Sequence, residues 1–238
     1  MRIKSLWLRR IHKWVGLAIG LQFVLWAVSG AAMALLDMET VAGGPRRDAA
    51  EATLPIGTTG WPRIAAQIGT HRIEALRSGT LLDRPVIEAA TAQGTRLFDA
   101  RTGARLTIDA ATARAIAQDN HPAGQRPLAP VLLTEASLAV RDHRPPIWKV
   151  DFGDAAGTTY YVSATSGALL ERRNDTWRWW DFFWMLHNMD YADRTSFNHP
   201  LIIAVGIAMT WLAVTGFWLL FRTMWRHDVR WLRPRKIR

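Results

Sequence analysis

Two long runs without a single charged residue limit what this chain can fold into. They are residues 14–36, 23 residues long, and residues 201–221, 21 residues long. At 1.5 Å per helical residue, each can cross a hydrocarbon core of ~30 Å. Trp14 stands at one boundary of the first run, and Trp218 and Trp225 stand near one boundary of the second. Interfacial tryptophans are found at such boundaries. Asn198, His199 and Pro200 precede the second run, with Asn198 as a cap and Pro200 in the first turn.

Charge places these runs in a membrane and orients them. The net charge of +10 is concentrated at the two ends of the chain. Residues 1–13 hold five basic residues and no acid, and residues 222–238 hold seven against Asp228 alone. Residues 37–198 carry 18 basic and 19 acidic side chains, close to balance. A nucleic-acid-binding surface would put the excess on the folded domain. Here it flanks the spans, as the positive-inside rule expects of cytoplasmic ends. No nucleic-acid partner is expected; the lipid bilayer is. Ala32-Met33-Ala34 after a basic start also resembles a cleavable leader. Leader cores are shorter, ~7–15 residues, so the first run is read as a retained helix. The inner (plasma) membrane is the expected location, with both termini cytoplasmic and the main domain periplasmic.

The absence of cysteine removes disulfides, thiolate metal sites, iron–sulfur clusters and covalently attached haem. No phosphate-binding glycine loop, H-E-x-x-H helix, nucleophile elbow, or flavin or nicotinamide fingerprint is present. A chain of this kind that moves electrons must receive them from a donor the sequence does not identify.

Between the spans lies an internal duplication. Residues 97–106, LFDARTGARL, align with residues 161–170, YVSATSGALL, at an offset of 64. Both read as strand, Thr-Gly or Ser-Gly turn, strand. Further strands are expected at 85–90 and 147–152, and helices at 60–68 and 109–118, the latter capped by Asp109. The expected fold class is an α+β membrane protein. Its divisions are a basic tail (1–13), transmembrane helix 1 (14–36), a first helix-plus-antiparallel-sheet unit (37–108) and a second (109–176). An aromatic interfacial segment (177–198), transmembrane helix 2 (199–221) and a second basic tail (222–238) follow.

These features together resemble PepSY-associated transmembrane proteins. The paired units look like PepSY domains, which end in a strand–Thr-Gly–strand hairpin. Arg10-Ile11-His12-Lys13-Trp14-Val15-Gly16-Leu17 is similar to the family's His-Arg-Trp-Leu-Gly opening. Ser29-Gly30 and Thr215-Gly216 match its Ser/Thr-Gly pairs near span ends, and Leu186-His187 matches its Leu-His before a span. The resemblance implies one of two roles. Some members are haem-containing inner-membrane reductases acting in ferric-siderophore uptake, which implies haem b and electron transfer. Others have no assigned activity, which leaves a cofactor-free scaffold or regulatory subunit whose domain binds a partner protein. The better-known reductases have four spans, whereas this chain has two.

Of seven histidines, His71, His121 and His143 lie in polar or loop contexts of the domain and read as surface residues. His12 and His227 flank one membrane face, and His187 and His199 the other. A whole span separates His12 from His187, so they cannot share one iron. His187 with His199, or His12 with a second His12 from a homodimer partner, remain open as axial pairs, and His12 with His227 is a poorer one because His227 lies beyond the expected membrane end. On the resemblance, His187 and then His12 are the expected haem ligands, with His199 a lesser candidate that also serves the helix start. The segment 177–187 contains six aromatics, with Trp180, Phe183, Trp184 and His187 on one helical face. It reads as an interfacial anchor or as a wall beside a porphyrin. Gly16 and Gly20, four apart, suit close helix packing, within the chain or between copies.

Overall fold

The computed structural model describes residues 5–44, 60–122, 124–192, 194 and 196–227. The expectations for the outermost basic tails and for most of the 42–59 linker lie outside these residues. The chain forms two units, one of residues 1–35 with 181–238 and one of residues 36–180.

The first unit contains the spans. Helix α1 runs Ser5–Leu35, about nine residues earlier than the uncharged run alone predicts. Arg9, Arg10 and Lys13 are good helix formers, so the helix continues through the boundary where hydrophobicity stops. The second span is helix α6 (Pro200–His227). Pro200 is its first residue, and Ile203 N–H donates to the His199 carbonyl, so the helix start falls one residue later than an Asn198 cap implies. Only 6 % of the most apolar window of each helix is buried against protein. Leu17, Leu21, Ile207 and Phe217 are each more than 60 % exposed. A soluble core helix would bury such residues, whereas in a bilayer they face lipid. The protein is therefore a membrane protein with two spans.

The second unit is a layered α+β domain. After a single turn α2 (Met38–Val41) come helix α3 (Trp61–Ile68) and an antiparallel sheet of β1 (Ile73–Leu81), β2 (Arg84–Thr91), β3 (Gly94–Asp99) and β4 (Arg105–Leu106). Helix α4 (Ala110–Asp119) leads to a second antiparallel sheet. Its strands are β5 (Val131–Leu133), β6 (Ile147–Asp151), β7 (Thr159–Ser163) and β8 (Leu169–Arg173). Side-chain alternation sets the layers. Ile87, Ala89 and Phe98 of the first sheet pack on Ile64 and Ile68 of α3. Their neighbours Val86 and Leu97 point to the opposite face and meet Ala113, Ile116 and Ala117 of α4. Val150, Tyr160 and Val162 of the second sheet belong to the same cluster. The second repeat's helix is thus the shared core of both repeats, sandwiched between the two sheets.

The duplication is visible hydrogen bond by hydrogen bond. Asp99 N–H donates to Ala104 O and Gly103 N–H to Asp99 O; Ser163 N–H donates to Ala168 O and Gly167 N–H to Ser163 O. The side chain at the first position accepts the two following amides: Asp99 from Arg101 and Thr102, Ser163 from Thr165 and Ser166. Gly103 and Gly167 have φ of +67° and +74°. A β-carbon on Gly103 would lie 2.4 Å from Gly60 O, so the turn needs glycine for conformation and for space.

Strands β1 and β5 are additions to the sequence expectation. The turn joining β1 to β2 is Leu82-Asp83, at φ of 48° and 64°. That geometry ordinarily signals itself by Asn-Gly. His121 and His143 are also more than surface residues. The His121 ring stacks on Phe152 at 3.8 Å between centroids, and His143 Nε2 lies 2.9 Å from Glu171 Oε1. Burial pushes the Tyr160 phenol above its ordinary pKa, and its hydroxyl donates to Asn120 O at 2.9 Å.

Candidate functional site

Helix α5 (Asp175–Asn188) starts in the domain and ends in the spanning unit. Asn174 caps it by accepting Trp177 N–H at 2.7 Å, and its amide donates to Thr40 O. The aromatic segment is therefore helical, as its spacing suggests. The turn from α5 to α6 is tied down within the spanning unit. Arg194 pairs with the buried Asp181, Ser196 N–H donates to Asp190, and Phe197 meets the Trp184 ring edge-on at 5.2 Å.

Two imidazoles occupy matching niches at the two ends of the spans. At the N-terminal end of α1, His12 Nδ1 lies 2.8 Å from Thr215 Oγ1 on α6. A β-carbon on the adjacent Gly216 would come 3.4 Å from His12 Cε1, and the Trp211 ring lies 6.2 Å away. At the other end, His187 Nδ1 lies 3.1 Å from Ser29 Oγ on α1. A β-carbon on Gly30 would come 3.3 Å from His187 Cε1, and the Trp26 ring lies 6.4 Å away. Each niche is built from a tryptophan, a hydroxyl residue and the glycine after it. The two are arranged in opposite senses along the hairpin.

Both hydroxyls also reach the backbone of their own helix. Thr215 Oγ1 donates its only proton to the backbone, to Trp211 O at 2.8 Å, and Ser29 Oγ does the same to Leu25 O at 2.6 Å. With the hydroxyl proton given to the backbone, each oxygen accepts from the imidazole in the tautomer that carries its proton on Nδ1. In a neutral imidazole Nε2 is left with its lone pair free. Among the described residues, neither Nε2 has a hydrogen-bond partner. This is the arrangement of a metal-binding histidine, whose second nitrogen is held by an outer partner. No cluster of three or more metal-ligating side chains exists among the described residues, so a bare-ion site has no support there. A macrocyclic iron needs only axial nitrogens from the protein, and the donor set present fits that demand.

His199 is held differently. Its Nε2 lies 2.8 Å from Asn188 O and donates to it, which clasps the start of α6 to the end of α5. The helix holding His227 is described, but its side chain is not. On α1, Trp26 Nε1 and, four residues earlier, Gln22 Nε2 are buried donors without a partner among the described residues.

Beside His12, α1 and α6 part to leave an apolar groove of about 530 Å³. His12, Gly16, Gly20, Ala213 and Gly216 line it, with Phe23 toward mid-span. Gly16 packs within the chain, since a β-carbon there would sit 3.8 Å from Leu212 Cδ2. A β-carbon on Gly20 would meet nothing within 4 Å.

The spans, the duplicated sheet domain and the histidine–hydroxyl niches define a membrane-anchored α+β protein with one hydroxyl-bonded imidazole at each end of its hairpin. Residues 9–238 match the family model described as the PepSY-associated TM region, and the chain belongs to that family. No curated protein and no solved structure is similar enough to the chain to count as a match.

Proposed function

We propose that this chain is a b-haem electron-transfer component of a membrane reductase, linked to ferric-chelate uptake. The observation that carries the reading is the pair of imidazoles with Nδ1 committed and Nε2 free, one at each end of the spans. His12 and His187 would hold the iron, Thr215 and Ser29 would orient their rings, and Gly216 and Gly30 would give the rings room against helix backbone. When bound, haem supplies a one-electron couple at each membrane face. His199 stays a clasp, its Nε2 proton already given to Asn188 O. The basic tails place the His12 end in the cytoplasm and the domain outside. Electrons then pass outward, from a donor at the His12 end toward an acceptor such as a ferric chelate on the domain side.

One observation favours a second reading, a cofactor-free scaffold. The same two hydrogen bonds tie α1 to α6 and to α5, and such interhelical bonds have value in lipid without any cofactor. A pyridine haemochrome assay on the full chain, purified from membranes without harsh detergent, separates the two. Haem b in a fixed ratio to chain supports the first reading; its absence, with the chain folded, supports the second.

A further inference from the structure

We infer that a second copy of this chain supplies the missing axial ligand at both membrane faces, so that each haem is shared between two protomers. The inference rests on the haem reading above. Among the described side chains, each face of one chain offers one uncommitted imidazole nitrogen. His199 Nε2 is spent on Asn188 O. His12 and Ser29, which holds His187, are 17 residues apart on α1, about 26 Å along the helix. Among the described side chains, none of the same chain completes either iron.

The walls are incomplete in the same way. Every residue lining the groove beside His12 comes from α1 or α6, and the groove is open on its far side. Buried ligand sites cover 70–90 % of a ligand of this size, so a wall must come from elsewhere.

Symmetry favours a second copy over an unrelated partner. Gly30, on which His187 rests, follows His12 by 18 residues, about five full helical turns. Both free imidazoles thus lie over one face of α1. That face also meets α6, through Thr215 at His12 and with Ile19 only 9 % exposed, and a β-carbon on Gly20 beside it would meet no described residue within 4 Å. One two-fold axis along the membrane normal sets His12 opposite its copy and His187 opposite its copy in a single operation. An unrelated partner would need two imidazoles placed independently at the same spacing.

The test uses the full chain reconstituted with haem b in nanodiscs or mild detergent, read by native mass spectrometry and absorption spectroscopy. The expected species is two chains with two haems, both six-coordinate and low-spin. His12→Ala should leave a dimer with one haem, half a haem per chain, and His187→Ala the same. The haem retained in each variant reports that it still folds. In a mixed dimer of wild-type and His12→Ala chains, one haem should become five-coordinate and high-spin. Haem bound by single chains, or two haems per chain, or a mixed dimer with an unchanged low-spin spectrum, would overturn the shared site while leaving the haem reading standing. A folded wild-type chain that takes up no haem at all would overturn both.

Discussion

Replacing Thr215 with valine removes one hydroxyl and almost no volume, which isolates the step that fixes the His12 ring. In the wild-type chain the 2.8 Å contact from His12 Nδ1 to Thr215 Oγ1 holds the proton on Nδ1. Valine cannot accept that proton. The lost hydrogen bond is worth about 1 kcal/mol, and measured bonds between membrane helices average ~0.6 kcal/mol. At 1.4 kcal/mol per tenfold, the bond alone accounts for roughly a three- to fivefold loss. Ring reorientation and the competing tautomer add to this, and loss of an outer partner of a metal-binding histidine typically costs 10–100-fold. Thr215→Val should therefore weaken haem binding at the His12 site by about tenfold, toward the low end of that range because the niche still packs on Gly216. Haem titration followed by absorption, with the His187 site as internal control, measures it. Thr215→Ser restores the acceptor and should restore affinity. Equal affinity in wild type and Thr215→Val, in a chain where His12→Ala abolishes the site, would refute the claim that the hydroxyl sets the tautomer.

Three further outcomes follow from the fold. Gly103→Ala should destabilise the domain more than Gly167→Ala, by about 1 kcal/mol or more, in thermal unfolding of the purified chain. The first β-carbon meets the Gly60 carbonyl at 2.4 Å and the second the movable end of Leu81 at 2.8 Å. The Asp99 carboxyl is held below the ordinary value of 3.8, chiefly by the Thr102 backbone N–H. Its contribution is present above that value and lost as pH falls through the lower folded pKa. Asp99→Asn should thus make the domain less stable at neutral pH but narrow its deficit in acid, read as melting temperature between pH 7 and pH 3. A reporter fused after Arg238 should be cytoplasmic and one inserted between residues 123 and 124 external; both on one side would contradict the topology.

Most of the architecture is legible in the sequence because it rests on local rules. Uncharged runs longer than a bilayer mark α1 and α6, and the Thr-Gly and Ser-Gly turns at a spacing of 64 mark the duplication. What escapes is set by tertiary packing. Strand β1 is mostly exposed and turns at Leu82-Asp83, which carry no glycine signal. The sharing of α4 by both sheets depends on which faces meet, and spacing within one repeat does not determine that. His12 and His187 stand out in the sequence by position, and Ser29-Gly30 and Thr215-Gly216 by composition. That each pair cradles the other helix's histidine is visible only once the hairpin folds. One signal was present: on α1 and across α5–α6 alike, the histidine comes first and the hydroxyl–glycine pair follows at the far end. His199 could not be told from a ligand by sequence, because its partner is the Asn188 backbone carbonyl.

The central claim is that His12 and His187 are the two imidazoles that bind iron. The most direct measurement is the dithionite-reduced minus oxidised absorption spectrum of the full chain, purified with its partners retained. It should be compared with His12→Ala, His187→Ala and the double variant at equal expression. The account predicts a b-type band in wild type, about half its amplitude in each single variant, as for two equivalent sites, and none in the double variant. No band in wild type, or a band that survives in the double variant, would contradict it.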